Sequence, residues 1–311
     1  MTRRPAALLA VLVAAVGLAG CGVGAGSSDA PQDVAVVVTC DFGARQLRGA
    51  DADSVPSSET VMRFIQRRFD VTTRYSGGFV ESIDGLSGGR DAEGRPLDWF
   101  YYVNGIEAGK GAASRSVSPG DRIWWDRHTY GATQRVPAVV GSWPEPFRSG
   151  SEGKKIPLAV VCEGEARSCD EVETRLAEED VKRIARTGIG SGVGQKLLRI
   201  IVGPWSAIRN EPAARQLERG PQASGVFARL RADRFELLDQ DGKIAQTQAD
   251  AVGLVAATRF GEQQPTWIVT GTDDAGVAAA AAALRSDVLS NHFAVAIIKG
   301  RALPLPVRQD P

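Results

Sequence analysis

Few side chains in this sequence are suited to chemistry. There are two histidines, His128 and His292, and four cysteines, Cys21, Cys40, Cys162 and Cys169. No CxxC or HxxxH spacing joins them, so no metal centre is expected and no cofactor is implied. The HExxH helix is absent, and no Cys/His pair comes with a third group to orient it. Two carboxylates could meet in a fold, but nothing selects a pair from 37 acidic residues, so the chain reads as non-enzymatic. Cys162 and Cys169 are close in sequence and form the disulfide candidate of an exported protein. Cys40 is then a buried thiol.

Two glycine-bearing segments invite a phosphate-binding reading. The run from Gly188 to Lys196 breaks the GxxxxGK[ST] pattern, because Gln195 separates Gly194 from Lys196 and Leu197 follows. It also precedes a strand, whereas a phosphate loop follows a strand and opens a helix so that amides face the anion. A flexible connector is expected there. The segment from Thr270 to Asp274 does lead from a strand into a helix, yet Asp273 and Asp274 repel an anion and suit the N-cap.

The N-terminus sets the location. Arg3 and Arg4 precede an apolar run from Ala6 to Leu18, 13 residues long. That is short of the roughly 20 residues a membrane span needs, and it fits the h-region of a secretory signal peptide over residues 1–20. Leu18-Ala19-Gly20-Cys21 resembles the bacterial lipobox, which implies cleavage before Cys21 and acylation there. One chain binds a bilayer reversibly and two or more hold it, so Cys21 would anchor the protein on the extracytoplasmic face of the cell membrane. Residues 21–33 are small and polar, and Gly22 to Asp33 would act as a flexible tether with an end-to-end distance of roughly 20 Å.

Beyond the tether, Val34 to Phe42 reads as a β-branched strand, and Thr60 to Phe69 carries Val61, Phe64, Ile65 and Phe69 at helical spacing. Trp99 to Val103 is an aromatic strand ending in the turn pair Asn104-Gly105, and Arg122 to Asp126 is the strand after the Gly120-Asp121 turn. Pro137, Pro144, Pro146 and a Ser/Gly stretch place a domain boundary near residue 150. From there strands and helices alternate. Helices are expected over Asp170 to Arg186, Ala251 to Arg259 and Asp274 to Ser290, with strands at Lys196 to Val202, Thr266 to Thr270 and Phe293 to Ile298. The fold class expected is α+β: an N-terminal unit over 34–150, then a layered α/β domain over 151–311.

The segment Tyr101-Tyr102-Val103-Asn104-Gly105, the small residues Gly109 to Ala113, Gly120-Asp121 and Ile123-Trp124-Trp125 together resemble a domain-of-unknown-function family. That family is related to the C-terminal domain of transcobalamin and intrinsic factor. The resemblance covers about residues 34–130 and implies a β-grasp-like fold of the soluble-ligand-binding kind. The family includes cobalamin carriers, in which a large helical barrel supplies the other half of the site, and no pattern for such a barrel occurs here. The second domain resembles no named family.

Strand alternation sorts the aromatics into two faces. Trp99, Tyr101, Val103, Ile123 and Trp125 form the more apolar set, expected against the helix. Tyr102, Trp124 and Asp126, with Asn104 at the turn, form the expected ligand or interface face, where Trp124 should carry little core packing. The alternative is that this face docks on the second domain or on Trp143 to Phe147.

Composition narrows the partners. The 37 basic and 37 acidic residues cancel, which argues against a nucleic-acid partner, and 43% hydrophobic with 24% charged residues excludes wholesale disorder. The expected function is a solute-binding lipoprotein or transporter accessory, for a corrinoid or another small molecule. The competing expectation is a structural or adhesive envelope module that contacts a protein or glycan.

Overall fold

The computed structural model describes residues 31–75, 77–191, 196–261 and 263–308. The expected signal peptide, Cys21 and the tether up to residue 30 lie outside the described residues. The architecture is α+β and rich in strand, with four separate sheets among the described residues.

The N-terminal unit begins with β1 (Gln32–Cys40) and β2 (Arg45–Ser54), then the short helix α1 (Val61–Gln66). A small sheet follows from β3 (Val71–Arg74), β4 (Phe79–Ile83) and β5 (Leu86–Ser87). Next come β6 (Gly89–Arg90), β7 (Pro96–Val103), β8 (Ile106–Glu107) and β9 (Arg122–Thr129). The main sheet runs β2-β1-β9-β7-β6, with β8 on β7; β1 and β9 are parallel and the other pairs antiparallel. Thr60 caps α1 by accepting from the Arg63 amide. One sheet face, Val34, Val36, Val38, Trp99, Val103, Ile123 and Trp125, closes over Val61, Phe64, Ile65 and Phe69 of the helical segment, as the alternation predicts.

The second unit is built on a seven-stranded sheet and flanking layers. In chain order it comprises β10 (Leu158–Cys162), α2 (Ala166–Glu178), β11 (Ile184–Thr187), β12 (Leu198–Pro204), α3 (Trp205–Ile208), α4 (Ala214–Glu218) and α5 (Pro221–Ser224). Then follow β13 (Ala228–Leu230), β14 (Phe235–Leu238), β15 (Ile244–Gln248), β16 (Val252–Thr258), β17 (Thr266–Gly271), α6 (Asp274–Ala282), α7 (Ser286–Leu289), β18 (Ala294–Ile298) and β19 (Arg301–Leu305). The strand order is β11-β10-β12-β17-β16-β18-β19, and β13-β14-β15 form a sheet of their own. Helices α2 and α6 cover one face of the large sheet. Gly276 of α6 lies so close to the sheet that a Cβ there would stand 2.3 Å from the Val252 carbonyl oxygen.

Three expected elements differ. Ala251 to Arg259 is not helical: Val252–Thr258 is a central strand, buried at every position and paired on both sides. A short apolar run with both faces buried has no period to separate strand from helix, and the sheet overrides the alanines' helix preference. The helix expected over Asp170 to Arg186 ends at Glu178, and Ile184 opens the parallel edge strand β11. The long helix expected over Asp274 to Ser290 is split into α6 and α7 around buried Leu284. Strands β17 and β18 are parallel to each other but not neighbours, because β16 lies between them and pairs antiparallel with each.

The proline-bearing segment near the expected boundary is packed, not free. Val139 and Val140 are buried, and the Trp143 and Phe147 rings rest on Trp267 at 5.7 Å and 5.0 Å between centroids. The Glu145 carboxylate, itself buried, accepts from the Ser149 amide at 2.7 Å and its hydroxyl at 2.8 Å.

Candidate functional site

Tyr102, Trp124 and Asp126 do lie on the face opposite α1, but that face is filled. All three are 0–1% exposed. Phe293, just before β18, meets Tyr102, Trp124 and His128 edge-on, and Phe42 packs between His128, Phe227 and Phe293. The expectation that Trp124 carries little packing is therefore corrected. The second unit supplies the apolar surface that this aromatic face needs, which is the docking alternative.

A polar network sits inside this junction. The Trp124 indole N–H donates to the Thr39 hydroxyl at 2.7 Å, and Thr39 donates in turn to Asp126. Asp126 also accepts from the amides of Phe42 and Gly43 at 3.1 Å and 2.9 Å, one on each oxygen, and His128 Nδ1 lies 2.7 Å from the oxygen that Phe42 uses. Four partners on one carboxylate satisfy a buried charge, which burial would otherwise penalise by several kcal/mol. Asn104 is also structural. At φ 55° in the Asn104-Gly105 turn, its side chain donates to Asp121 at 3.0 Å and to the Gly150 carbonyl at 2.9 Å, and accepts from the Arg122 amide at 2.8 Å. It ties the β7–β8 hairpin to the turn before β9 and to the connecting segment.

The other expected features are placed as follows. Cys162, at the end of β10, is bonded to Cys169 in α2, and Cys40 is a buried free thiol. Asp273 caps α6, accepting from the Gly276 amide at 2.8 Å. The amides of Ile189 and Gly190 donate to the carboxylates of Glu163 and Glu211, so carboxylates occupy the donors an anion would want. Gly192 to Gln195 lie outside the described residues. Among the described residues, no group of three or more His, Cys, Asp or Glu side chains could hold a metal, and no helix is long and apolar enough to cross a membrane.

Sequence reasoning missed a second site candidate, a cavity at the junction of the two units. A cleft of about 550 Å³ opens where the β7–β8 hairpin, the segment Ser151 to Pro157 and the second unit meet. Val103, Ile106 and Ile156 give it an apolar lining, while Lys110, Arg115, Lys154, Lys155, Lys196 and Arg259 make it basic. Among the described residues its carboxylates are Glu107 and Glu152. Arg135 holds Glu107 at 2.8 Å, and Lys110 holds Glu152 at 3.3 Å. Burial pushes the Glu107 carboxyl above its ordinary range, with Arg135 working against that shift. Arg115, only 7% exposed, is braced by Asp121 at 3.6 Å and by the Ser116 carbonyl. Burial raises the Asp121 carboxyl, and Arg115 opposes the rise.

A smaller aromatic groove of about 170 Å³ lies across Glu107 and Ala108 from the cleft, walled by Met62, Phe79, Tyr101 and Trp125. The Tyr101 and Trp125 rings stack at 4.8 Å, and burial pushes the Tyr101 hydroxyl up to about 12. Trp125 Nε1 is buried with no hydrogen-bond partner among the described residues. Cationic donors beside an apolar floor suit the binding of an organic anion.

The domain of unknown function DUF4430, a transcobalamin-like family, matches residues 58–129, the part that carries the aromatic strands. That is well under half of the chain. No curated protein matches. Among solved structures, a protein from Ruminococcus gnavus named for a suggested metal-binding role is 14% identical. The match covers 32% of this chain and 97% of that one, with a TM-score of 0.25. A likeness that low carries no argument about function.

Proposed function

We propose that this protein is a non-enzymatic extracytoplasmic lipoprotein, anchored through acylated Cys21, that binds a solute and serves a membrane transporter. The observation that carries the reading is the 550 Å³ cleft at the junction of the two units, apolar beneath and cationic at its rim. Small-molecule sites favour such concave junctions, with a few polar groups that fix orientation. The N-terminal unit is read as β-grasp-like: the strand order β2-β1-β9-β7, its parallel central pair and α1 across one face support this. The DUF4430 match over 58–129 supports the transcobalamin-like assignment.

A thermal-shift screen of the full chain in mild detergent, against corrinoids, vitamins and glycans, tests the binding role. A ligand at 100 times its Kd stabilises by roughly 2.7 kcal/mol. A screen with no saturable shift counts against solute binding. For the anchor, Cys21→Ser should move the protein to the soluble fraction, and a variant processed and retained like wild type overturns lipidation.

One observation favours the second reading, an adhesive envelope module. Tyr75 is 83% and Phe79 40% exposed, and their rings pair edge-on at 6.4 Å on the β3–β4 hairpin. Co-sedimentation of the released Cys21→Ser chain with added cell envelopes, lost in its Tyr75→Ser/Phe79→Ser variant, would support that reading.

A further inference from the structure

We propose that the cleft binds a phosphate-bearing anion, an inference that rests on the cleft being the solute site. The argument is a charge balance. Lys110 is paired with Glu152, Arg115 with Asp121, and Glu107 with Arg135, so these groups neutralise one another locally. Lys155 donates only to the Arg148 carbonyl, a neutral acceptor. Lys154 and Lys196 have no side-chain hydrogen bond or ion pair with a described residue, and both are exposed on the lining. Three ammonium groups therefore face one concavity without a carboxylate among their described partners, in a chain whose formal charge is zero.

That concentration of one sign has a consequence for recognition. A concave wall of low dielectric focuses the field of like charges toward its opening and raises the local concentration of counter-ions. Lysine ammonium groups serve as point-charge ligands for phosphate, which offers up to two negative charges and several acceptor oxygens at neutral pH. The buried Arg115 guanidinium, fixed by Asp121 and Ser116, adds a donor group with little freedom to lose on binding. Val103, Ile106 and Ile156 leave room for the apolar part of a phosphate ester beside the charge.

Two sources supply this chemistry: a soluble phosphate compound and an anionic phospholipid headgroup. The fold brings the second within reach. The Gln32 carbonyl at the start of β1 accepts from the Gly120 amide at 2.8 Å, and Gly120 abuts Ser149, beside the segment that lines the cleft. The start of β1 thus lies near the segment that lines the cleft. Phe260, next to the cleft residue Arg259, is 58% exposed.

The test uses the full chain and the Lys154→Gln/Lys196→Gln double variant, whose exposed side chains can change without disturbing a core. In detergent, inorganic pyrophosphate should give a saturable rise in Tm beyond sodium chloride of matched ionic strength, with a dissociation constant about tenfold or more weaker in the variant. For the headgroup source, both chains carrying Cys21→Ser are sedimented with phosphatidylcholine vesicles, with and without phosphatidylglycerol. Extra binding to phosphatidylglycerol that the variant lacks supports the proposal. It is overturned if neither probe binds beyond the chloride control, or if the variant binds both probes as wild type does. A screened solute that still binds the variant with unchanged affinity leaves the solute-binding reading standing while this one fails.

Discussion

Phe293 meets Trp124 edge-on across the junction of the two units, with ring centroids 5.2 Å apart and planes at 77°. Edge-to-face pairs add about 0.5–1.5 kcal/mol to the area they bury, and the same Phe293 ring also meets Tyr102 and His128. One side chain beside β18 thus closes the second face of the N-terminal sheet. The two units share a core there, and the open cleft lies elsewhere along the same junction.

Trp124→Ala should cost about 3–5 kcal/mol, in the range expected for Trp125→Ala, because the rings are 1% and 3% exposed. The shift in urea midpoint at constant slope measures it. A Trp124 variant close to wild type would mean that the junction is not packed in solution.

Removing the carboxylate at the centre of the junction should be as damaging. Asp126→Ala leaves the Phe42 and Gly43 amides without their acceptor. At about 1–3 kcal/mol for each buried donor left unsatisfied, a loss of about 3 kcal/mol or more is expected. Asp126→Asn should recover part of that loss, since one oxygen remains. Equal stability of the alanine variant and wild type in chemical denaturation rules the network out as a stabilising element.

Burial, helped by the nearby Asp126 charge, pushes the Cys40 thiol from about 9.0 up to about 11. The folded chain therefore keeps its proton to higher pH than the unfolded chain does. Between pH 9 and 11 the unfolded state binds fewer protons, so this group's contribution to stability falls as pH rises and is fully present below 9. Unfolding curves across that window should slope downward more in wild type than in Cys40→Val, which cannot titrate. Identical slopes would contradict the shift. A thiol reagent at pH 8 should label Cys40 only when denaturant is present.

Much of the N-terminal sheet was legible from local signals. Alternation in Trp99 to Val103 and in Ile123 to Asp126 separates the face that packs on α1, because successive side chains of a strand point to opposite sides. The Asn104-Gly105 turn follows from residues that tolerate positive φ, seen at 55° and 72°. Ala251 to Arg259 was not legible, since its strand identity depends on neighbours on both sides. Neither was the cleft. Lys110, Lys154, Lys196 and Arg259 come from separate connections, and no spacing in the chain marks them as neighbours.

By itself, then, the sequence determined what lies within a few residues' reach: strand faces, turn positions and the Asp273 cap. It left open what covers the second face of the N-terminal sheet. Only the tertiary structure decided that Phe293, far along the chain, fills that face, so that Tyr102, Trp124 and Asp126 became core. The same packing gathered lysines from distant connections around one opening. The physical reason is range. Backbone sterics and side-chain alternation act between near neighbours, whereas burial and charge act between whatever surfaces the completed fold brings together.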